Sequence, residues 1–285
     1  MRSYSPATLI HYRQGLGVLF RFLAGCGIGD VREMTREVVG RYHQWLLERG
    51  WKTRTLHSWL MALRRFCEHL ERTDAILINP CLGLALPRLE NRLPRRVLSR
   101  QEARRILDQP DTQTGRGIRD KAILELFYST GLRRQEMARL TVHDVDWLNG
   151  FLRVNRGKGG RDRIAPMGRK ACDYTREYLQ KVRSQWSKAN RDERALWLGS
   201  KSPHKPLGVG MIEQLVQVYG RQGIGRAVSP HVWRHTCATH LVAGGAPIAH
   251  VQRLLGHRSL RTTQIYTRVS VPDLRRMHRR HHPRA

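Results

Sequence analysis

The chain has 285 residues, 40% of them hydrophobic, with 52 Lys and Arg against 23 Asp and Glu and a formal net charge of +29. That apolar content is enough for a packed core and the length suits two domains; with no run of about 18 apolar residues, a membrane span is excluded. The N-terminus MRSYSPATLIHYRQ has no apolar signal core, and the five cysteines (Cys26, Cys67, Cys81, Cys172, Cys237) contain no C-x-x-C pair, so the chain reads as not secreted, with neither a disulfide framework nor a thiolate zinc site.

Ser5-Pro6 pairs a capping side chain with the residue pre-set for a first helical position. Leu9, Tyr12, Leu16, Leu19 and Leu23 then form one apolar stripe, broken at Gly25–Gly29. A second helix is expected over about Arg36–Arg49, with Val38, Tyr42, Trp45 and Leu46 inward and Gly50 as its stop. A third follows Thr53, with Leu56, Leu60, Leu63, Phe66 and Leu70 on one face, and a short piece near Cys81–Leu86 closes the unit. Residues 1–87 thus read as a small helical domain. Residues 88–97, bounded by the PRLENRLP stretch, read as an extended linker.

Ser99 and Glu102 form a capping box opening the next helix. Helices are expected over about Arg119–Ser129, ending at Gly131, and Arg134–Leu140. The period then changes. Val142–Asp146, Phe151–Asn155 and Arg161–Pro166 read as three short antiparallel strands, with Asn149-Gly150 as the first turn and Gly157-Lys158-Gly159-Gly160 as the second. A long helix over about Lys170–Lys188 follows, then a short strand at Leu196–Leu198. Further helices run from Val209 through Tyr219, over Pro230–Ala243 and over Ile248–Leu255, before a Tyr-bearing segment at Thr262–Val269. The tail HRRHHPRA reads as basic and mobile. The fold class is mainly α: a helical N-terminal domain, then a mixed α/β domain with a three-stranded antiparallel sheet.

The charge is uneven. Residues 1–90 hold 13 basic and 8 acidic side chains, residues 91–285 hold 39 and 15, and the only acids after residue 200 are Glu213 and Asp273. Arginine outnumbers lysine 44 to 8. Codon bias accounts for Arg over Lys but not for the scarcity of acids, and a basic excess of this size points to a polyanion, usually nucleic acid.

Four stretches carry polar groups suited to phosphodiester chemistry. In TGLRRQEM, Arg133 follows a glycine turn and Glu136 lies three residues on, near enough to orient it; alone the pair reads as a surface ion pair. In GKGG, Lys158 sits at a hairpin tip as a mobile point charge; alone it reads as a solvated turn, and it is no Walker loop. In SPHVWRHT, His231 and Arg234 share one face at a helix N-terminus, with Val232 and Trp233 behind them. In LLGHRSLRTTQIYT, Gly256 breaks a buried helix, His257 stands at the corner, and Tyr266 follows in a polar segment where, alone, it reads as a surface aromatic.

Taken together, TGLRRQEM, RGKGGRDRIAPM, HVWRHTCATHL and LLGHRSLRTTQIYT resemble the tyrosine recombinase (lambda-integrase-like) family, in its Xer-like and phage/transposon integrase branch, in order and separation over nearly the whole chain. Trp233 departs from the family's usual Leu, and little chain precedes the first helix, so contacts made there by longer relatives are expected to be missing. The resemblance implies a SAM-like core-DNA-binding domain over 1–87, a catalytic domain over 98–270, and a C-terminal basic segment over 271–285 that is exchanged between subunits or adds DNA affinity as a tail. It implies Tyr266 as nucleophile and Arg133, Lys158, His231, Arg234 and His257 as the catalytic set, with Glu136 supporting. It implies cleavage of one DNA strand through a 3′-phosphotyrosyl link, a Holliday junction, and a homo-tetramer, or a hetero-tetramer with a related recombinase, on double-stranded DNA with paired sites. No metal and no cofactor are implied, and the setting would be cytoplasmic and nucleoid-associated. A non-enzymatic basic DNA-binding protein explains the charge but not the ordered Arg, Lys, His-x-x-Arg, His, Tyr set. A type IB topoisomerase would share the chemistry, while the helical first domain and the Xer-like blocks favour recombination.

Overall fold

The computed structural model describes residues 6–88, 97–155, 162–188, 193–201, 204–256 and 271–284. The chain separates into two compact units, residues 1–93 and 94–285.

The first unit packs α1 (Pro6–Gly25), α2 (Arg36–Glu48) and α3 (Thr53–Arg72) around Leu19, Phe22, Leu23, Tyr42, Leu46, Leu60, Leu63 and Cys67. Thr35 caps α2 by accepting from the Val38 amide, and Gly50 follows the helix at φ +65°. α1 and α3 approach closely because Gly15 lacks a side chain: a Cβ there would stand 3.0 Å from that of Ala62. The expected stripe on α1 is correct in phase but not in extent. Leu9 is 53% exposed, apolar burial begins near Gly15, and Val18 and Phe22 widen the stripe. Spacing encodes which face turns inward, not how far the neighbouring helix reaches. Residues 80–83 form a turn and 84–86 an irregular stretch rather than a helix, with the Asn79 carboxamide oxygen accepting from the Cys81 amide.

The second unit is built around α5 (Gly115–Thr130), whose residues from Gly117 to Thr130 are all buried. A helix covered on every side shows no amphipathic period, and its start lies earlier than expected, where Thr114 accepts from the Gly117 amide. Its buried charges are paired: Arg119 donates to Asp120 at 2.8 Å and to the Leu198 carbonyl at 2.9 Å. α4 (Arg100–Leu107) opens with the expected Ser99–Glu102 capping box, and α6 (Arg134–Arg139) follows α5 after Gly131. The three-stranded antiparallel sheet has the order β1-β2-β3, with β1 (Val145–Asp146), β2 (Phe151–Val154) and β3 (Arg163–Pro166). Its register pairs Leu152 with Ala165 and Arg153 with Ile164. The first strand is shorter than expected because the Asp144 carboxylate accepts from the Thr141 amide and hydroxyl, both at 2.8 Å, closing Val142–Asp144 into a 3-10 turn. Gly150 takes φ +69° in the hairpin turn; the second turn lies outside the described residues.

α7 (Arg169–Glu177) continues as a π-helical stretch, Tyr178–Arg183, into α8 (Ser184–Trp186). The expected strand at Leu196–Leu198 is reduced to an isolated bridge from Leu198 to Pro206. α9 (Val209–Ile224) outruns its expected end at Tyr219, while α10 (Pro230–Ala243) and α11 (Ile248–Leu255) match their expected bounds.

The C-terminus departs most from expectation. Instead of a mobile basic tail, residues 271–281 form α12 (Val271–His281), whose Met277 completes an apolar cluster with Cys237, Leu241, Val251, Leu254 and Leu255. The His278 and His282 rings are buried and stacked at 4.6 Å. His278 Nε2 donates to the Ser129 carbonyl at 2.8 Å, and His282 Nε2 donates to the Tyr128 carbonyl at 2.9 Å while its Nδ1 accepts from the Arg284 amide at 3.2 Å. Read along the sequence, these histidines are simply polar; the carbonyls that the last α5 turn leaves without intrahelical partners make them core residues.

Both histidines are held neutral. Burial pushes His278 down to about 4 despite its bond to Ser129, and burial followed by the charge of its neighbour pushes His282 well below the usual imidazole range. With a free-chain value near 6.5, the undocked state takes up more protons between about pH 4 and 6.5, so docking of α12 is full above that window and weakens as pH falls through it. The protection factors of the α12 amides, corrected for the pH dependence of intrinsic exchange, should therefore be higher at pH 7.5 than at pH 5; equal factors at both would contradict the linkage.

Candidate active site

Two helix ends build the site. α5 stops at Gly131 (φ +59°) and α11 at Gly256 (φ +66°), both left-handed, and each end presents carbonyls carrying partial negative charge. Arg234, in the second turn of α10, bridges them: Nη1 donates to the Gly131 carbonyl at 2.7 Å and Nη2 to the Leu255 carbonyl. Its side chain is buried beside Trp233 and Cys237. Arg133 occupies the N-cap of α6 in an extended conformation. Its backbone amide and its Nη1 each donate to Glu136 at 2.8 Å, and its Nη2 donates to the Gly256 carbonyl at 3.1 Å. The two guanidinium groups are therefore fastened to successive carbonyls of one helix end.

Both glycines are required. Gly131 holds a positive φ, and a Cβ there would stand 2.6 Å from Leu255 Cδ2. Gly131→Ala combines left-handed strain with overpacking and is expected to cost about 2–4 kcal/mol, measured by denaturant unfolding. An unchanged midpoint would mean that the α5 and α11 ends are not packed as described.

His231 lies one turn before Arg234, in the first turn of α10, which Ser229 caps by accepting from the Val232 amide. Its ring is solvent-exposed on one side and stacks near His235 at 6.2 Å. Partial burial, then the charges of Arg234, Arg134 and Arg133, lower its pKa, so at neutral pH it is a neutral imidazole able to take a proton. Glu136 is nearly buried. Burial pushes its carboxyl up, but the bonds and charges of Arg163 and Arg133 outweigh this and bring it to about 2. Burial, then the charges of Arg133 and Arg163, lowers Arg234 to about 10. Three guanidinium groups around one carboxylate leave positive charge uncompensated, which suits a phosphodiester anion.

Arg133, His231, Arg234 and Glu136 are thus brought together from α10 and the α5–α6 junction. Lys158, His257 and Tyr266 lie outside the described residues; in sequence, Lys158 falls between β2 and β3, His257 directly follows Gly256, and Tyr266 falls between α11 and α12. Arg163 belongs to none of the four candidate groups expected from the sequence. It lies inward beside fully buried Ala165 on β3, while Ile164 turns outward and is 37% exposed. The one available signal is that inverted pattern, a charge on the inward face of a short strand.

No group of His, Cys, Asp or Glu that could hold a metal ion is found among the described residues, nor any helix long and apolar enough to cross a membrane.

A helical first unit, followed by a mainly helical unit whose small sheet and helix ends gather arginines about a histidine, has the make-up of an integrase-type protein. Comparison with known proteins bears this out. Residues 96–272 match the phage integrase family and residues 1–74 the phage integrase N-terminal SAM-like domain. The chain is 38% identical to tyrosine recombinase XerC 2 of Ralstonia nicotianae, over 92% of this chain and 78% of that protein. It is 37% identical to tyrosine recombinase XerD of Vibrio cholerae serotype O1, over 100% and 93%. Among solved structures it is similar in fold to a lambda integrase (75-356) dimer bound to a COC′ core site, with a TM-score of 0.67 at 17% identity, over 95% of this chain and 94% of that one. The chain belongs to the phage integrase family, as an Xer-like tyrosine recombinase. That places it among the site-specific DNA recombinases.

Proposed function

We propose that this chain cuts and rejoins DNA strands at paired sites through a covalent tyrosyl intermediate. The observation that carries the reading is the attachment of Arg133 and Arg234 to adjacent carbonyls of the α11 end, with more positive charge than Glu136 can balance. Phosphoryl transfer is mainly positioning and stabilisation of charge on the non-bridging oxygens, and two anchored guanidinium forks supply both.

Tyr266 Oη attacks the scissile phosphorus, a new P–O bond forms at the 3′ side, and the bond to the 5′ oxygen breaks. Neutral His231 takes the phenolic proton, and Lys158 gives a proton to the departing 5′ oxygen. His257, adjoining the Arg133-bound Gly256, hydrogen-bonds the phosphate or supports Tyr266. The phosphotyrosyl bond conserves the energy of the broken linkage, so rejoining needs no nucleotide. Double-stranded DNA is the partner. The unit over 1–87 grips one side of the duplex, residues 88–97 link it to the catalytic unit over 98–270, and the enzyme works in the cytoplasm at the nucleoid. Two sites are held in a homo-tetramer, or a hetero-tetramer with a related recombinase, and are resolved through a Holliday junction. In that assembly α12 is the segment available for exchange, moving from its own cleft to a neighbour's.

The test is adduct formation on DNA carrying the chain's own recombination site, read on a denaturing gel with and without excess EDTA. A protein–DNA band that resists EDTA is expected, because the cations used are side chains. A band that disappears with EDTA and returns with magnesium would overturn the metal-free scheme, and no band under either condition would overturn the tyrosyl reading.

A further inference from the structure

We propose that Arg163 is a positioning residue for strand cleavage, holding Glu136 in a shared embrace so that Glu136 orients Arg133 without neutralising it. The inference rests on the recombinase reading above and adds a residue to it.

Arg163 opens β3, opposite Val154, and its side chain is 11% exposed. It makes three directed bonds: Nη1 to Glu136 Oε1 at 2.8 Å, Nη2 to Glu136 Oε2 at 2.7 Å, and Nε to the Leu254 carbonyl at 3.0 Å. Arg133 takes the same two oxygens differently, Oε1 through its Nη1 and Oε2 through its backbone amide, both at 2.8 Å. A carboxylate offers about four acceptor positions, and here four donors fill them. Arg163 makes the flat two-pronged contact; Arg133 makes one side-chain bond. The Arg133 Nη2 goes to the Gly256 carbonyl instead.

A buried carboxylate and a lone guanidinium close into a bidentate pair. With Arg163 removed, Glu136 has two free acceptor positions and one remaining guanidinium partner. It would rotate onto Arg133, taking up the donors that a phosphate needs. Arg163 also ties together three separate parts of the chain: β3, which follows Lys158 in sequence, the Arg133–Glu136 turn, and the α11 end, which His257 follows in sequence. Gly256 makes room for it, since a Cβ there would stand 3.1 Å from Arg163 Cδ. Lysine retains the charge but neither the fork nor the bond to Leu254.

The experiment compares single-turnover cleavage and DNA affinity for Arg163→Gln, Arg163→Lys and each combined with Glu136→Gln, with wild-type adduct formation as the control. Arg163→Gln should slow cleavage about 10²-fold while DNA affinity stays within about threefold, and Arg163→Lys should fall between. Adding Glu136→Gln should restore at least about tenfold of the lost rate, because a neutral amide cannot quench Arg133. A merely structural role predicts the reverse, a double variant no faster than the single one. Wild-type cleavage by Arg163→Gln, a loss confined to affinity, or no rescue overturns the proposal. If thermal melting shows Arg163→Gln unfolded at the assay temperature, the Lys pair decides by the same criteria. A wild type that makes no adduct would sink the recombinase reading itself.

Discussion

Tyr266→Phe is expected to bind DNA with nearly unchanged affinity and to form no covalent adduct. The substitution removes one oxygen from a side chain whose proposed task is to become bonded to phosphorus, and no neighbouring hydroxyl stands in for it in the proposed set. The loss should therefore reach the detection limit, well beyond the roughly 10²–10⁴-fold that removing a proton-transfer group brings. Affinity should survive, because it comes from many phosphate contacts made by a chain of net charge +29 and is dominated by counterion release. A denaturing gel separates the two effects, and mass spectrometry of the nucleotide-bearing peptide from the wild type locates the link. An adduct that persists in the Phe variant, or one that maps to another residue, would reject the nucleophile.

Arg234→Lys should show the next largest effect, in both rate and stability. The guanidinium spans two helix ends through Nη1 to Gly131 and Nη2 to Leu255, and it is buried. A lysine ammonium is a single point and cannot reach both carbonyls in that geometry. One buried carbonyl is then left without a donor, at about 1–3 kcal/mol, and the α5–α11 junction that carries Arg133 loosens. Cleavage is expected to fall on the order of 10²–10³-fold, accompanied by a lower unfolding midpoint. Arg133→Lys makes a useful contrast. Arg133 is less buried and is anchored partly through its backbone amide, so its replacement should slow cleavage by about 10²-fold with a smaller stability loss. Equal melting losses in the two variants would contradict the assigned anchoring roles.

Much of the architecture was legible along the chain. α10 and α11 appear at their expected bounds because Ser229-Pro230, Ala243-Gly244 and Gly256 are local start and stop signals acting on the backbone itself. The capping box at Ser99 and the Asn149-Gly150 turn are local for the same reason. α5 was harder to delimit because its neighbours cover every face and erase the period that marks a half-buried helix. The stripe on α1 is longer in the sequence than in the fold, because its phase is local whereas its burial depends on another helix.

The candidate site divides along the same line. The residue types, their order and the family they indicate were determined by the sequence alone, since chemistry requires particular side chains and the turns that present them are set by nearby glycines and prolines. Only the tertiary structure decided that Arg133 and Arg234 share the end of α11, that Arg163 enters from β3 to meet Glu136, and that the basic C-terminus is a docked helix with two neutral histidines at its core. Those contacts join residues from 21 to 154 positions apart. No local pattern encodes them, because a charged or polar side chain takes its role from whichever carbonyl or carboxylate the folded chain brings against it.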